Sequence, residues 1–272
     1  MASTTPAVDA ARLRARLTTA HLDVLAHLLT GARPSPGSDD ALDELVRADL
    51  VVDGVPSPFL RELVTELTQA RVSIDVEIAG RHGLSTHGAT LGAGTCWTVQ
   101  GWPGEPLQEY ARLDPRLLPT SMAATLGLSL AAGEAQAQEI ATTLGTLDLA
   151  LSARGEAEGR AQAEPDLATR TAAVRDAIAA VGDVDPVLAD VLAHERRSWR
   201  VTTSWREGES LAVRALAVLD SDEQGLWERV LPAEPVPAEP LPPTEPVLLR
   251  RLSAADAFRA VGALLPRTGE GR

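Results

Sequence analysis

The 272-residue chain contains no lysine and no asparagine, and it has a single cysteine. Without lysine there is no Schiff-base chemistry and no lysine-anchored pyridoxal cofactor. A P-loop of the G-x-x-x-x-G-K-[ST] type and a protein-kinase lysine are excluded for the same reason. One cysteine, Cys96, cannot form an internal disulfide framework and argues against a cysteine-built structural zinc site. Long apolar runs are lacking: no window approaches the roughly 18 residues of a membrane-spanning helix. Met1 to Pro6 has no basic flank leading into an apolar stretch, so no signal peptide is expected and the expected address is the cytoplasm. Aromatic residues are also few, with five Trp, two Phe and one Tyr. The shortage of Ile, Phe and Tyr beside abundant Ala, Arg, Gly and Pro is the bias of a GC-rich genome, as in actinobacteria.

What is present is acidic and globular in composition. Hydrophobic residues make up 44% and charged residues 23%, close to ordinary usage for a folded domain. The formal net charge is −13. Such a chain repels phosphate backbones, and its arginines are scattered, with only short clusters such as Arg196-Arg197, so nucleic-acid binding is not expected. No G-x-G-x-x-G, G-x-S-x-G or H-E-x-x-H occurs, and no cofactor is expected.

Periodicity organises the chain. Val8 to Thr30 places Leu13, Leu17, Val24, Leu25 and Leu28 on one helical stripe, and Leu42, Leu45 and Val46 mark a short second helix. Asp53-Gly54 is a tight-turn signal, and Pro58 opens a helix carrying Leu60, Leu63, Val64 and Leu67. The period then drops to two. Val72, Ile74, Val76 and Ile78 alternate with Ser73, Asp75 and Glu77, the pattern of a half-buried antiparallel strand. Three further strands are expected at Leu84–Leu91, Cys96–Val99 and Leu107–Ala111, and Asp114-Pro115 caps a closing helix. Leu128 to Val181 reads as helical, interrupted by a flexible stretch at 152–165 that lacks large apolar residues.

From Asp185 the same order begins again. Pro186 opens a helix, and Trp199, Val201, Thr203 and Trp205 alternate as Val72 to Ile78 do. Ser210–Leu219, Leu226–Val230 and Glu245–Leu249 supply the next strands, and Leu252-Ser253 caps a final helix. The expected fold is therefore α+β, with two pseudo-repeated helix–four-strand antiparallel meander–helix units in a quasi-twofold arrangement. The divisions are an N-terminal helical segment (1–57), a first repeat (58–127) and a helical insertion (128–184). A second repeat (185–266) with a Pro-rich loop at 232–246 and a tail (267–272) complete the chain.

This duplication, together with the local sequences, resembles the EspG family of secretion-associated chaperones of ESX (type VII) secretion. Leu42 to Val51 with Asp53-Gly54, the Phe59–Ile78 helix-then-strand passage, the Val218–Trp227 strand-turn-strand and the Leu252–Pro266 closing helix carry the likeness, which runs from Leu22 to Pro266. The resemblance implies a cytosolic, non-enzymatic chaperone or adaptor. Its partner would be a secreted helical hairpin or helical dimer, kept soluble and targeted without membrane insertion. Two other readings of the residues stand beside it: an enzyme using Cys96 or a histidine, and an acidic regulator with a winged-helix-like start at Leu42–Val52.

Individual residues give few chemical leads. His82 and His87 read as solvated loop residues, and His21, His27 and His194 as partly exposed helix positions. Cys96 has neither a helix N-terminus nor a cationic neighbour in sequence, which favours a small buried hydrophobe over a nucleophile. Trp97, Trp199 and Trp227 suit a sheet core. Trp102, in a Gly-Trp-Pro-Gly turn, and Trp205, at a strand end, are the candidate partner-binding anchors, because tryptophan is enriched at interface hot spots. Catalytic and metal-binding residues are expected to be absent.

Overall fold

A computed structural model describes residues 5–32, 37–128, 138–161, 164, 166–230 and 241–266. Among these residues the chain builds one 11-stranded antiparallel sheet (order β1-β2-β8-β7-β6-β5-β10-β11-β12-β13-β9) and a small separate hairpin, β3–β4. In the first half the elements are β1 (Ala7–Asp9), β2 (Arg14–Leu17), α1 (Thr19–Thr30), α2 (Asp39–Arg47), β3 (Val51–Val52), β4 (Val55–Pro56), α3 (Pro58–Thr68), β5 (Val72–Gly80), β6 (Gly83–Leu91), β7 (Cys96–Gln100), β8 (Gln108–Leu113) and α4 (Leu118–Thr125). The second half runs β9 (Glu139–Thr143), α5 (Leu144–Ala161), α6 (Leu167–Ala179), α7 (Pro186–Ala193), β10 (Arg197–Glu207), β11 (Ser210–Asp220), β12 (Leu226–Val230), β13 (Pro246–Leu252) and α8 (Ala254–Ala263).

The α+β class and the two meanders stand as expected. The strand order reads alike from the middle outward: β5-β6-β7-β8-β2 on one side, β10-β11-β12-β13-β9 on the other. The seam is the antiparallel β5–β10 pair, in register from Val72↔Trp205 to Gly80↔Arg197. Both openers have Pro in the first helical turn, where its missing N–H is not needed. Ser253 and Asp256 form a capping box on α8, and Asp114 accepts from the Arg116 N–H in the short turn before α4.

Three stretches differ from the sequence reading. The first is 7–17, which forms a β-hairpin and not the start of a helix. Asp9 caps its turn, Leu13 sits at φ 54°, and Ala15 and Leu17 bury alternately against the neighbouring strand β8. In the second, Glu139–Thr143 is an edge strand on β13 rather than part of a helix. The third is 152–161, which continues α5 as helix. Ala157 packs beside Val174 and Ile178, and Arg154 joins α5 to the end of α7 through Glu195 at 2.8 Å. The region read as a helical segment (1–57) thus corresponds to the region read as an insertion (128–184): each adds a strand beside its own meander, β2 or β9, and two helices packed on it, and the first adds β1 and the β3–β4 hairpin besides. The Pro-rich stretch lies mostly outside the described residues.

The two faces of the sheet are covered differently. Cys96 and Trp97 are neighbours on β7 and therefore point to opposite faces. On Cys96's face, Val72, Ile74, Val76, Trp199, Val201 and Trp205 pack under Leu118, Met122 and Leu126 of the α4 region and Val261 and Leu264 at α8. On Trp97's face there are two separate cores. One joins α1, α2 and α3 to Trp97 and Tyr110; the other joins α5, α6 and α7 to Trp227, Val247 and Leu249. The α4/α8 layer thus covers the middle of one face, and the two helical clusters cover the flanks of the other. A buried carboxylate fastens the middle layer. Asp220 accepts from Arg196 at 2.7 Å and Arg197 at 2.9 Å, while Arg197 also donates to the Leu126 carbonyl that ends α4.

Candidate partner-binding trough

Between the two flanking helical clusters, no helix among the described residues covers this face of the central strands β6, β5, β10 and β11. Ser73, Asp75, Glu77 and Ala79 point to this face from β5, since Val72, Ile74 and Val76 are buried beneath α4 and α8. The registers carry the face across the sheet. One cross-strand row is Tyr110, Val99, Gly88, Asp75, Thr202 and Ala215; the next places Thr86, Glu77, Arg200 and Ala217 side by side. Ser73, Thr90, Ser204 and Val213 form a third.

The floor is therefore made of small and hydroxylated residues, with Asp75, Glu77 and Arg200 exposed on it. Glu77 and Arg200 are register partners, yet neither forms an ion pair among the described residues, and neither does Asp75. The β11 edge is apolar, with Leu211 and Val213 well exposed.

The walls explain why the trough persists. On one side Phe59 of α3 meets the Trp97 ring edge-on at 5.7 Å, and the Trp97 indole N–H donates to Glu66 of the same helix at 2.5 Å. Arg112 on β8 reaches Glu62 of α3 at 2.7 Å. On the other side Leu188, Val191 and Leu192 of α7 cover Trp227. The helices sit over β7 and β12, five strand spacings apart, which at about 4.8 Å per spacing sets their axes about 24 Å apart and, after about 10–12 Å for the helices themselves, leaves a trough about 12–14 Å across.

The anchors expected from the sequence, Trp102 and Trp205, lie elsewhere. Trp205 is corrected by its burial: it is 3% exposed, within the central core on the α4/α8 face, and offers no surface to a partner. The hairpin continues past it, and Arg214 of β11 covers its ring. Trp102 is partly exposed, with Arg16 5.2 Å from its ring centre. Arg16 also donates to Glu109, the register partner of Gln100, so this pair sits toward the α4/α8 side and off the trough. Trp97, Trp199 and Trp227 are core.

The titratable side chains are structural in placement. Burial pushes the Cys96 thiol up to about 11, and its side chain is fully enclosed. His82 is exposed in its turn, but His87 lies on strand β6, where burial lowers its pKa and it bonds Ser85 at 3.1 Å. His21 is buried rather than partly exposed. Its ring caps α1 with Thr18 and reaches Glu44 of α2 at 3.0 Å. Among the described residues no group of three or more His, Cys, Asp or Glu is placed to hold a metal, and no helix is long and apolar enough to cross a membrane.

No protein-family model matches the chain, and neither does any curated protein. Among solved structures the architecture is similar to that of the Mycobacterium tuberculosis type VII secretion system chaperone EspG5, determined in complex with a PE25–PPE41 dimer. The superposition has a TM-score of 0.53 and spans 93% of this chain and 97% of that one, at 10% identity. The fold is EspG-like. At that identity the likeness concerns the backbone, and the side chains of the trough are this chain's own.

Proposed function

We propose that this EspG-like chain is a non-enzymatic cytosolic chaperone or adaptor that holds a secreted helical hairpin or helical dimer of a type VII secretion system in its trough, keeping it soluble and targeted. The observation that carries the reading is the trough itself. An α-helix with its side chains is about 10–12 Å across, and packed helices lie about 8–10 Å apart, so two side by side need about 20 Å. The clear width between the α3 and α7 walls, about 12–14 Å, admits one helix across the trough, so such a pair fits with its two helices one behind the other along the strands. A floor of Ser, Thr, Ala and Gly lets helices approach closely, and the Leu211/Val213 edge supplies apolar surface for the partner's apolar tip. The EspG5 structure, which holds a PE25–PPE41 dimer, supports a partner of that kind. The mechanism is binding and release, with no chemical step. The high thiol pKa and full burial of Cys96 support that over a nucleophilic role.

The test is co-expression of the chain with the helical products of neighbouring genes, followed by co-purification. Thr202→Trp with Ala215→Arg fills the trough floor without touching the buried core, so the double variant should melt like the parent and lose the partner. Retention of the partner by this folded variant would refute the trough as the dock. Trp102→Ala, on the other side of the sheet, should retain it.

A further inference from the structure

The trough floor is not level. Gly88 interrupts the row between Val99 and Asp75, and a Cβ there would lie 2.4 Å from the Ile74 carbonyl oxygen. Gly101, bonded to the carbonyl of Thr86 at 2.8 Å, is equally confined, because its Cβ would meet that oxygen at 2.7 Å. A pit of about 210 Å³ opens at Gly88, between β5, β6, β7 and β8. Ser73, Asp75, Thr86, Thr90, Gln108 and Tyr110 give it its polar lining.

The lining is rich in hydroxyl and carboxylate oxygens and contains no arginine, and burial disfavours the charged form of its one histidine, His87. Tyr110 donates its hydroxyl proton to Gln108 Oε1 at 2.8 Å, which leaves the phenol oxygen as an acceptor. Asp75 is held only by a long 3.5 Å contact from Ser73 and has no ion-pair partner among the described residues. An unpaired carboxylate beside hydroxyl acceptors, in a pit that a side chain at position 88 could not share, matches a long side chain ending in N–H donors. The second half has no such feature: Ala215 and Ala217 occupy the corresponding outer strand and keep its floor flat.

We infer that the pit seats a basic side chain, projected from one helix of the partner. The inference rests on the reading of the trough as a helix dock and adds to it a direction. The two helices are not equivalent: one presents an arginine or lysine over Asp75, and the other lays apolar residues along Leu211 and Val213. The quasi-twofold scaffold thus accepts its partner in one orientation only.

The probe is a designed helical hairpin carrying one arginine at its tip, compared with the same hairpin carrying norleucine, each titrated into the ¹⁵N-labelled full chain. The arginine hairpin should shift the Gly88 and Gly101 amides saturably. Asp75→Asn should weaken that binding about tenfold, in keeping with loss of a hydrogen bond to a charged group, while its melting temperature stays unchanged. Equal binding of both hairpins to the trough, or indifference to Asp75→Asn, overturns the basic-anchor inference and leaves the helix dock standing. No perturbation anywhere on the trough floor by either hairpin overturns both.

Discussion

The guanidinium carbon of Arg214 lies 4.7 Å from the centre of the Trp205 ring, and the same guanidinium donates to the carbonyl of Leu265, just past α8, at 3.0 Å. The contact closes the end of the central core and turns a residue near a strand end into an interior one. Trp205→Ala should therefore cost about 3–5 kcal/mol of folding stability, the usual range for removing a buried large aromatic. Trp205→Phe should cost less, because the indole N–H has no partner among the described residues and its loss leaves nothing newly unpaired. Urea denaturation of both variants checks the order, and a Trp205→Ala protein as stable as the parent would contradict it.

His21 makes the stability of the first wall acid-sensitive. The Thr18 backbone N–H points at its Nδ1 at 3.0 Å, so that nitrogen is an acceptor and Nε2–H donates to Glu44. Protonation would set an Nδ1–H against the Thr18 N–H, and burial lowers the pKa of this histidine below its ordinary 6.5. The folded state therefore binds fewer protons than the unfolded one. The contribution is fully present above about pH 6.5 and is lost as pH falls through the folded-state value. His87, also lowered by burial, acts in the same direction; Glu195, raised by burial, acts in the opposite one. Only the difference between parent and variant isolates the site. His21→Gln should flatten the dependence of stability on pH below 6.5, measured by urea melts at successive pH values. An unaltered slope would show that His21 is not the titrating group.

Cys96 should be silent until the protein unfolds. Its enclosed thiol, with a pKa near 11, should not react with Ellman's reagent in the native state at neutral pH. In denaturant it should react at once, with a midpoint coinciding with loss of tryptophan fluorescence. Rapid labelling of the native protein would show an opening that the packing does not contain.

The parts legible in the sequence are those whose pattern is local. Val72 to Ile78 and Trp199 to Trp205 announce their strands because alternation meets one buried face, and Pro58 and Pro186 mark helix starts by their chemistry. The missed elements depend on partners far along the chain. Leu13 and Leu17 stand at helical spacing, but β2 exists because Arg14 to Leu17 pairs with β8, almost a hundred residues on. Glu139 to Thr143 has one large apolar residue, Ile140, and becomes a strand only beside β13. The stretch 152–161, rich in Ala, Gly and Glu, has no stripe of its own and is held by what α6, α7 and Glu195 offer it. The trough was hidden for a different reason. Alternation shows that Ser73, Asp75 and Glu77 face away from the core, but no local pattern tells which exposed face the helices will leave uncovered. Gly88 falls within the expected strand Leu84–Leu91, but no local pattern announces the Ile74 carbonyl that lies against it.

The seam between β5 and β10 also sets what a half of this molecule could do alone. Cut between α4 and β9, each half would end on a bare strand of nine or more residues, with its backbone N–H and C=O groups unpaired and its share of the central core open to water. A one-unit chain of this design would satisfy that edge by pairing with its own copy through an isologous interface. The joined chain has one advantage over such a pair: its two halves can diverge independently, so Asp75 on one side of the axis can face Thr202 on the other.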